Sequence, residues 1–592
     1  MTWRLFRNYK GRFSSAGGLC AELKFDRMRG MKTNHTQYCS VLMATALASV
    51  PVFADFDLNL DLSGAPLKDI RSSTCGPVVG YAGCNCWASD AELFIARSNE
   101  TAQALLDCGG YHLRMWNSNQ WFSNRNHPDP AKRSQPKAAF ELWKAHGIKV
   151  LFTVEQWNTR EKGIKSIVDF AQFIKDNHYE DVVAGFELGN ETYGGDTAFQ
   201  KDLADRWCET IPRIRKVLPK VALGIPIAEY FENDPDVAQI RARLLNDPEN
   251  KVKRRKYFEA GDLNKRSAEF IEAFDKEILK KEVSHVIYHC YGAETPYSCS
   301  YYGYKRYRAF ESAFPEIKGK KWWLSEIRMR SDEDNWCQRM YREALIMGHY
   351  SLMTVMQPEV DGFNLHQILA ISGGLYQSNG REWQIQWCDG GHCMDVRSAY
   401  RRPRVEVGSM GVMMRILAEG LREHPLLMHH GTSKAQDTED TFFTSARFTD
   451  QVYVRRRAIK EGAEPEKAPK VEGEVEWIAA MAPRRNRLCL LMVNSKSEPQ
   501  KIRLTAPGCT FGAPTYRTMS CPEKYLDFRA VPGEARYWTE SAWEDPQQGF
   551  AYIRMEKNDG IRPKADVLRL EIAPHTVQTV TFPVRCPPPA KK

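Results

Sequence analysis

The chain has 592 residues, 43% hydrophobic and 27% charged, with a formal net charge of +9. That length exceeds one small core and calls for a large domain with a second beside it. Residues 1–54 hold eight basic and two acidic residues, a net +6 that leaves the rest near +3, too weak a balance to argue for a nucleic-acid partner or any polyanion.

Within those first residues, Met31-Lys32 opens a short polar segment. "VLMATALASVPVFA" (41–54) is apolar and closes on small residues. These are the parts of an export signal cleaved before Asp55, with Met31 as an alternative start to Met1. A buried N-terminal helix is the plainer alternative. No later apolar run has transmembrane length, so the expectation is a secreted or periplasmic protein with no integral membrane segment after cleavage. Cys20 and Cys39 precede Asp55, which leaves fourteen of the sixteen cysteines in the exported part. Some of these pair as disulfides in an oxidising compartment, but spacing does not say which. "CDGGHC" (388–393) reads as a local disulfide, since two cysteines and one histidine lack a fourth zinc ligand. Basic runs such as "KVKRRK" (251–256) and "RRPR" (401–404) read as solvated surface.

"DFDLNLDLSG" (55–64) alternates polar and apolar residues, and residues 55–70 are expected as a strand segment joining the C-terminal sheet. From about 100 to 415, short apolar strands alternate with amphipathic stretches. The strands are "GYHLRMW" (110–116), "IKVLFTV" (148–154), "VVAGFEL" (182–188), "VALGIPI" (221–227), "VSHVIYH" (283–289), "KWWLSE" (321–326) and "DGFNLHQ" (361–367). Between them, "KSIVDFAQFIKDN" (165–177) and "AEFIEAFDKEILKK" (268–281) carry apolar residues at helical spacing. Repeated strand–helix alternation predicts parallel βα units, and an eighth strand from 72–90 closes a (β/α)8 TIM barrel over residues 71–425. An open doubly wound sheet is the alternative, weakened because no early strand is followed by a glycine-rich phosphate loop. After about 430, short β-branched segments such as "EVEWIAAMA", "RLCLLMVNS" and "TVQTVTFPV" predict an antiparallel β-sandwich over 426–587, with 588–592 as a tail.

Two apolar strands run into glutamates. "AGFELGNETYGG" reaches Asn190-Glu191, and "KKWWLSEIRMR" reaches Ser325-Glu326. By strand count these belong to the fourth and seventh barrel strands, whose C-terminal ends form the active face of such a barrel. One protonated and one ionised carboxyl across a pocket is the requirement for glycoside hydrolysis. An Asn-Glu dipeptide alone is more often an exposed loop, and the matching second glutamate is what raises it. Glu294 and Glu333 are rivals to Glu326 but do not directly end an apolar strand. Arg114, in "HLRMWN", is placed to hold a nearby carboxylate ionised; its plainer reading is a structural ion pair. Trp116, Asn117, Trp157 and Asn158 follow strand ends, where aromatic faces and amides suit sugars, although large aromatics are more often core. His366 ends the eighth strand and is a weaker candidate.

The Asn-Glu pair, the second glutamate and the trailing sandwich resemble the clan A retaining glycoside hydrolases. "FELGNE" looks most like the heparanase/β-glucuronidase family and is also similar to the α-L-arabinofuranosidase family. The resemblance implies Glu191 as acid/base, Glu326 as nucleophile and Asn190 as a donor to the sugar 2-hydroxyl. It also implies that Tyr291, in "HCY", bonds the nucleophile while His289 lines the site. Thr192 stands where the first family has proline, Ser325-Glu326-Ile327 where the second has Asp-Glu-Trp, and Arg114-Met115-Trp116 lacks a glycine pair typical of both, which sets the chain apart as a distant family. The expected function is a secreted retaining glycosidase acting on a polysaccharide or oligosaccharide, acidic and sulfated glycans included, with no cofactor and no metal. An inactive carbohydrate-binding scaffold and a transglycosylase are the alternatives.

Overall fold

The computed structural model describes residues 55–73, 82–86, 106, 112–130, 133–156, 159–227, 263–292, 301–329, 341–365, 394–397, 404–407, 409–437, 474–520, 552–557 and 566–586. The export signal expected within 1–54 and the 388–393 loop lie outside them. The chain enters through β1 (Phe56–Asn59) and β2 (Lys68–Asp69). Eight parallel strands then close a barrel. They are β3 (Ala82–Cys86), β4 (His112–Met115), β5 (Lys149–Val154), β6 (Val183–Leu188), β7 (Leu223–Pro226), β8 (His285–Gly292), β9 (Lys321–Met329) and β10 (Val360–Leu365), with β10 paired back to β3. The closed barrel is the expected fold, and β6 and β9 are its fourth and seventh strands.

The outward faces of the strands pack under helices. Helix α1 (Ser118–Ser123) and helix α2 (Pro136–Ala145) follow β4, and α3 (Arg160–Asp176) follows β5. Ile164, Ile167, Phe170, Ala171 and Ile174 of α3 fall at three- and four-residue spacing and are all buried. Phe170 meets Phe152 of β5 edge-on at 5.2 Å and stacks on Phe186 of β6 at 5.9 Å. Helix α4 (Thr197–Val217) follows β6. The amphipathic stretch 268–281 is divided between two helices: α5 (Leu263–Ala273) stops, and Asp275 caps α6 (Lys276–Glu282) by accepting from the Ile278 N–H at 2.9 Å. A side-chain cap of this kind satisfies an orphan donor and restarts the helix, which periodicity does not register. Helices α7 (Tyr301–Ser312) and α8 (Tyr341–Met356) flank β9 in sequence.

Inside the barrel, Trp323 fills the axis and stacks on His285 at 3.9 Å. Gly185 and Gly224 make room, because a Cβ at either would press on the Trp323 ring. Leu151 and Ile287 complete this apolar layer. The charged groups lie on the same inward faces, one pleat nearer the strand ends.

Strands β11 (Met394–Arg397) and β12 (Arg404–Val407) form a hairpin, and α9 (Ser409–Glu423) leads into the second domain. Its larger sheet runs in the order β19 (Tyr552–Lys557), β18 (Thr515–Ser520), β21 (Thr576–Arg585), β15 (Arg487–Asn494), β14 (Val475–Met481), β13 (Leu426–Thr432), β2, with β17 (Thr510–Phe511) paired to β21. The smaller sheet is β1, β16 (Gln500–Thr505) and β20 (Val567–Ile572). Strand β1 pairs in parallel with β16, so this sheet is mixed. A strand arriving from before the barrel is not tied by a hairpin to its neighbour and is free to run either way.

Strand β15 shows why "RLCLLMVN" is a continuous apolar run. Leu488, Leu490 and Met492 face the space between the two sheets, whereas Cys489, Leu491 and Val493 face the barrel's core. Gly348 of α8 and Gly420 of α9 approach that second face closely, at Val493 and Leu491. A buried pair, His349 Nδ1 to Glu476 Oε2 at 2.7 Å, crosses the same junction. Cys509 and Cys586 form a disulfide within the sandwich. None of the described helices is long and apolar enough to cross a membrane.

Candidate active site

At the C-terminal end of the barrel, β4, β5, β6, β8 and β9 bring charge together. Arg114 of β4 is buried and carries a fork of donors. Its Nε and Nη2 meet Glu187 of β6 at 2.6 and 2.7 Å, and its Nη1 meets Glu326 of β9 at 2.5 Å. Nη2 also donates to Asn190 Oδ1 at 2.6 Å, which leaves the Asn190 amide N–H groups as the donors turned elsewhere. Burial works against both charges, but the pairing prevails: the guanidinium is held even more firmly protonated, and Glu187 is lowered to about 2.

His289 of β8 sits among three carboxyls. Its Nδ1 is 3.0 Å from Glu191 Oε1 and 3.6 Å from Glu326 Oε2, and its Nε2 is 3.5 Å from Glu187 Oε1. Burial alone would depress the ring, yet Glu326, Glu187 and Glu191 outweigh it and raise it to about 10, so the imidazole is a cation at neutral pH.

Two local features aim the glutamates. Gly189 has φ 97°, where a Cβ would strike Thr192, and this glycine turns the chain out of β6. Glu191 follows with φ 47°, a left-handed conformation that non-glycine residues seldom adopt. The turn lifts its side chain to 41% exposure. Glu326 corrects the sequence reading in detail, since it lies inside β9, which continues to Met329. Here Ile287 pairs with Trp323 but His289 pairs with Glu326, and against β10 Phe363 pairs with Leu324 but Leu365 with Ile327. Both neighbours therefore see one extra residue between Leu324 and Ile327. This bulge turns Glu326 inward, on the same face as Trp323, where unbroken alternation would have put Ser325.

An oxygen of Glu191, a nitrogen of His289 and an oxygen of Glu326 lie within 4.8 Å of one another. Three such donors are close enough for a cation, and His289, held charged among its carboxyls, would release its proton to bind one.

Of the other residues expected here, Trp116 and Asn117 are half-buried at the turn after β4; Asn117 has φ 56° and its amide donates to Gln120. Tyr291 lies on β8, but its side chain, Trp157, Asn158 and His366 are outside the described residues. Sequence reasoning passed over Glu187 and Glu155. Glu187 sits mid-strand in "VAGFEL", two residues before Gly189, so a charged residue at an inward strand position was the available signal. Glu155 directly follows β5 and is buried. Burial, with Glu187 nearby, raises its carboxyl to about 8.

No family model and no curated protein matches the sequence. Solved structures match by fold. An α-L-arabinofuranosidase from Thermotoga maritima, in complex with arabinose, aligns over 89% of this chain and 100% of its own, with TM-score 0.51 and 11% identity. The GH51 α-L-arabinofuranosidase from Thermotoga petrophila RKU-1 aligns over 89% and 99%, with TM-score 0.53 and 11% identity. The GH39 enzyme from Xanthomonas axonopodis pv. citri aligns over 91% and 98%, with TM-score 0.50 and 11% identity. These are glycoside hydrolases of the clan that the short motifs resemble, and this chain has their fold, barrel and trailing sandwich together.

Proposed function

We propose that the protein is a retaining glycoside hydrolase, with Glu326 as nucleophile and Glu191 as acid/base. The observation that carries this is the approach of their carboxyl oxygens, within 4.8 Å across His289 at the mouth of a (β/α)8 barrel. Retaining enzymes place the two carboxyl groups about 5–5.5 Å apart and inverting ones about 6.5–9.5 Å.

Pairing and exposure favour Glu191 as the proton donor. Arg114 holds Glu187 and Glu326 in ion pairs. Glu191 is the most exposed of the three carboxyls, where a leaving group can reach it. A Glu326 oxygen attacks the anomeric carbon. The glycosidic bond breaks, and its electron pair stays on the leaving oxygen, which takes the proton of Glu191. Water then attacks the same carbon, gives a proton to Glu191 and releases Glu326. His289 lies between the two carboxyls and favours whichever is ionised at each stage. Asn190, fixed by Arg114, offers its amide to a sugar hydroxyl.

For the substrate, the names of the Thermotoga neighbours make α-L-arabinofuranosides the first choice, and the "FELGNE" motif keeps uronate-containing and sulfated glycans as the second. The "VLMATALASVPVFA" segment supports export, as does the Cys509–Cys586 disulfide, which an oxidising compartment preserves.

The test is a panel of aryl glycosides and polysaccharides, with the anomeric configuration of the first product read by NMR. Hydrolysis with retained configuration is expected. Glu191→Gln should lower turnover about 10²–10⁴-fold on natural linkages and less on aryl leaving groups that need no protonation. Binding without hydrolysis by the wild type would establish the carbohydrate-binding alternative. Product enriched in transferred sugar would establish the transglycosylase.

A further inference from the structure

Glu155 is a buried carboxyl that the mechanism above does not use. It stands at the end of β5, 3% exposed. Its main chain is clamped from α1: Asn119 Oδ1 accepts from the Glu155 N–H at 2.8 Å, and Asn119 Nδ2 donates to the Glu155 carbonyl at 3.0 Å. The same amide donates to Ser166 of α3 at 2.8 Å, so two helices hold this strand end in place. The Glu155 carboxyl faces the main-chain N–H of Asn190 and the indole of Trp116. Its Oε1 is buried and has no hydrogen-bond partner among the described residues.

We propose that Glu155 is a positioning residue of the catalytic turn: its carboxyl, acting on the Asn190 main chain, holds the left-handed conformation that presents Glu191 to the pocket. This rests on the reading of Glu191 as acid/base. The geometry requires some such hold. A glutamate at φ 47° reverts to a commoner conformation unless its neighbours over-determine it. The Asn190 side chain is fixed by Arg114, and Glu155 reaches its main-chain N–H from the β5 side.

The protonation state follows from what surrounds the group. Arg114 on β4 and Glu187 on β6 are the charged groups that face it; α1 and α3 present Asn119 and Ser166, which do not titrate. Arg114 is already shared by Glu187 and Glu326. Burial beside Glu187 therefore keeps Glu155 a neutral acid up to about pH 8. Above that, a third anion forms beside Glu187 and Glu326 and draws on the same guanidinium, which loosens the pair that Arg114 makes with the nucleophile. Activity should fall on the alkaline side for this reason. The sign for stability is the same. The folded protein holds a proton that the unfolded chain, with its carboxyl near 4.5, gives up, so rising pH between 4.5 and about 8 destabilises the fold.

The test compares the full-length wild type with Glu155→Gln and Glu155→Ala, using the glycoside that the wild type hydrolyses best. Glu155→Gln keeps the acceptor and does not titrate. It should retain kcat within about twofold at about pH 6 and lose the alkaline fall near pH 8. Glu155→Ala should lower kcat about tenfold, with KM changed less than about threefold, because the ground-state contacts with sugar remain. A melting curve for each confirms folding. The melting temperature of the wild type, relative to Glu155→Gln, should decline from about pH 5 to about pH 8. An infrared difference spectrum, wild type minus Glu155→Gln, should show a carboxylic-acid C=O band at neutral pH that vanishes when alkaline. A wild-type profile in Glu155→Ala, or an unchanged alkaline limb in Glu155→Gln, overturns the proposal. Hydrolysis by the wild type with indifferent variants sinks this inference alone. A wild type without hydrolysis sinks the glycosidase reading and the positioning role with it, even where the infrared and melting results show the proton on Glu155.

Discussion

The mouth of the barrel and the core of the sandwich are both buried, and they are built on opposite principles. Between the sandwich sheets lie Leu58, Trp477, Leu490, Ile502, Leu568, Phe582 and their neighbours, an apolar cluster closed by a disulfide. At the barrel mouth, Arg114, Glu155, Glu187, His289 and Glu326 are almost as completely buried, and all are ionisable. Burying charge is costly unless each charge is paired and hydrogen-bonded, and an apolar replacement of similar volume is often neutral or stabilising. The contrast separates a region that supplies stability from a cluster of paired charges at the proposed active site.

Three substitutions sharpen the contrast. The largest effect is expected from Glu326→Ala, which removes the proposed nucleophile. Activity should fall on the order of 10⁴-fold or more, about 5 kcal/mol of barrier, while Arg114 keeps its fork on Glu187 and the melting temperature changes little. A mutant with near-normal turnover would show that the carboxyl at 326 does not react. Next is Trp477→Ala in the sandwich. It empties a fully buried site and should cost about 3–5 kcal/mol of unfolding free energy in denaturant titration, with kcat unchanged for the protein that remains folded. A loss of kcat in that folded fraction would mean that the two regions are coupled. The smallest is Cys509→Ser. It opens a cross-link between positions separated by 77 residues and should cost about 2–5 kcal/mol, again without a change in kcat. Reducing agent should lower the wild-type melting temperature by more than the variant's.

Particular residues show what could be read in advance. Glu191 was legible because an apolar run with strand character ended on it, and Arg114 because a cation broke a strand. Glu187 was passed over although its signal was comparable, a charged residue at an inward position of a buried strand. His289 could be placed on its strand, but its charge could not be read. That charge depends on Glu191, Glu187 and Glu326 converging from β6, its following turn and β9.

The amino-acid sequence by itself determined the order of strands and helices, the barrel followed by a sandwich, and the place of Glu191 just past an apolar strand, because periodicity and strand endings are local properties of the chain. Tertiary structure alone decided the inward turn of Glu326 at a bulge, the protonation of Glu155 and His289, the parallel docking of β1, and the partner of Cys509. Each of these depends on which distant segments meet, and on how far their meeting excludes water, and neither quantity is written in the spacing of residues along one strand.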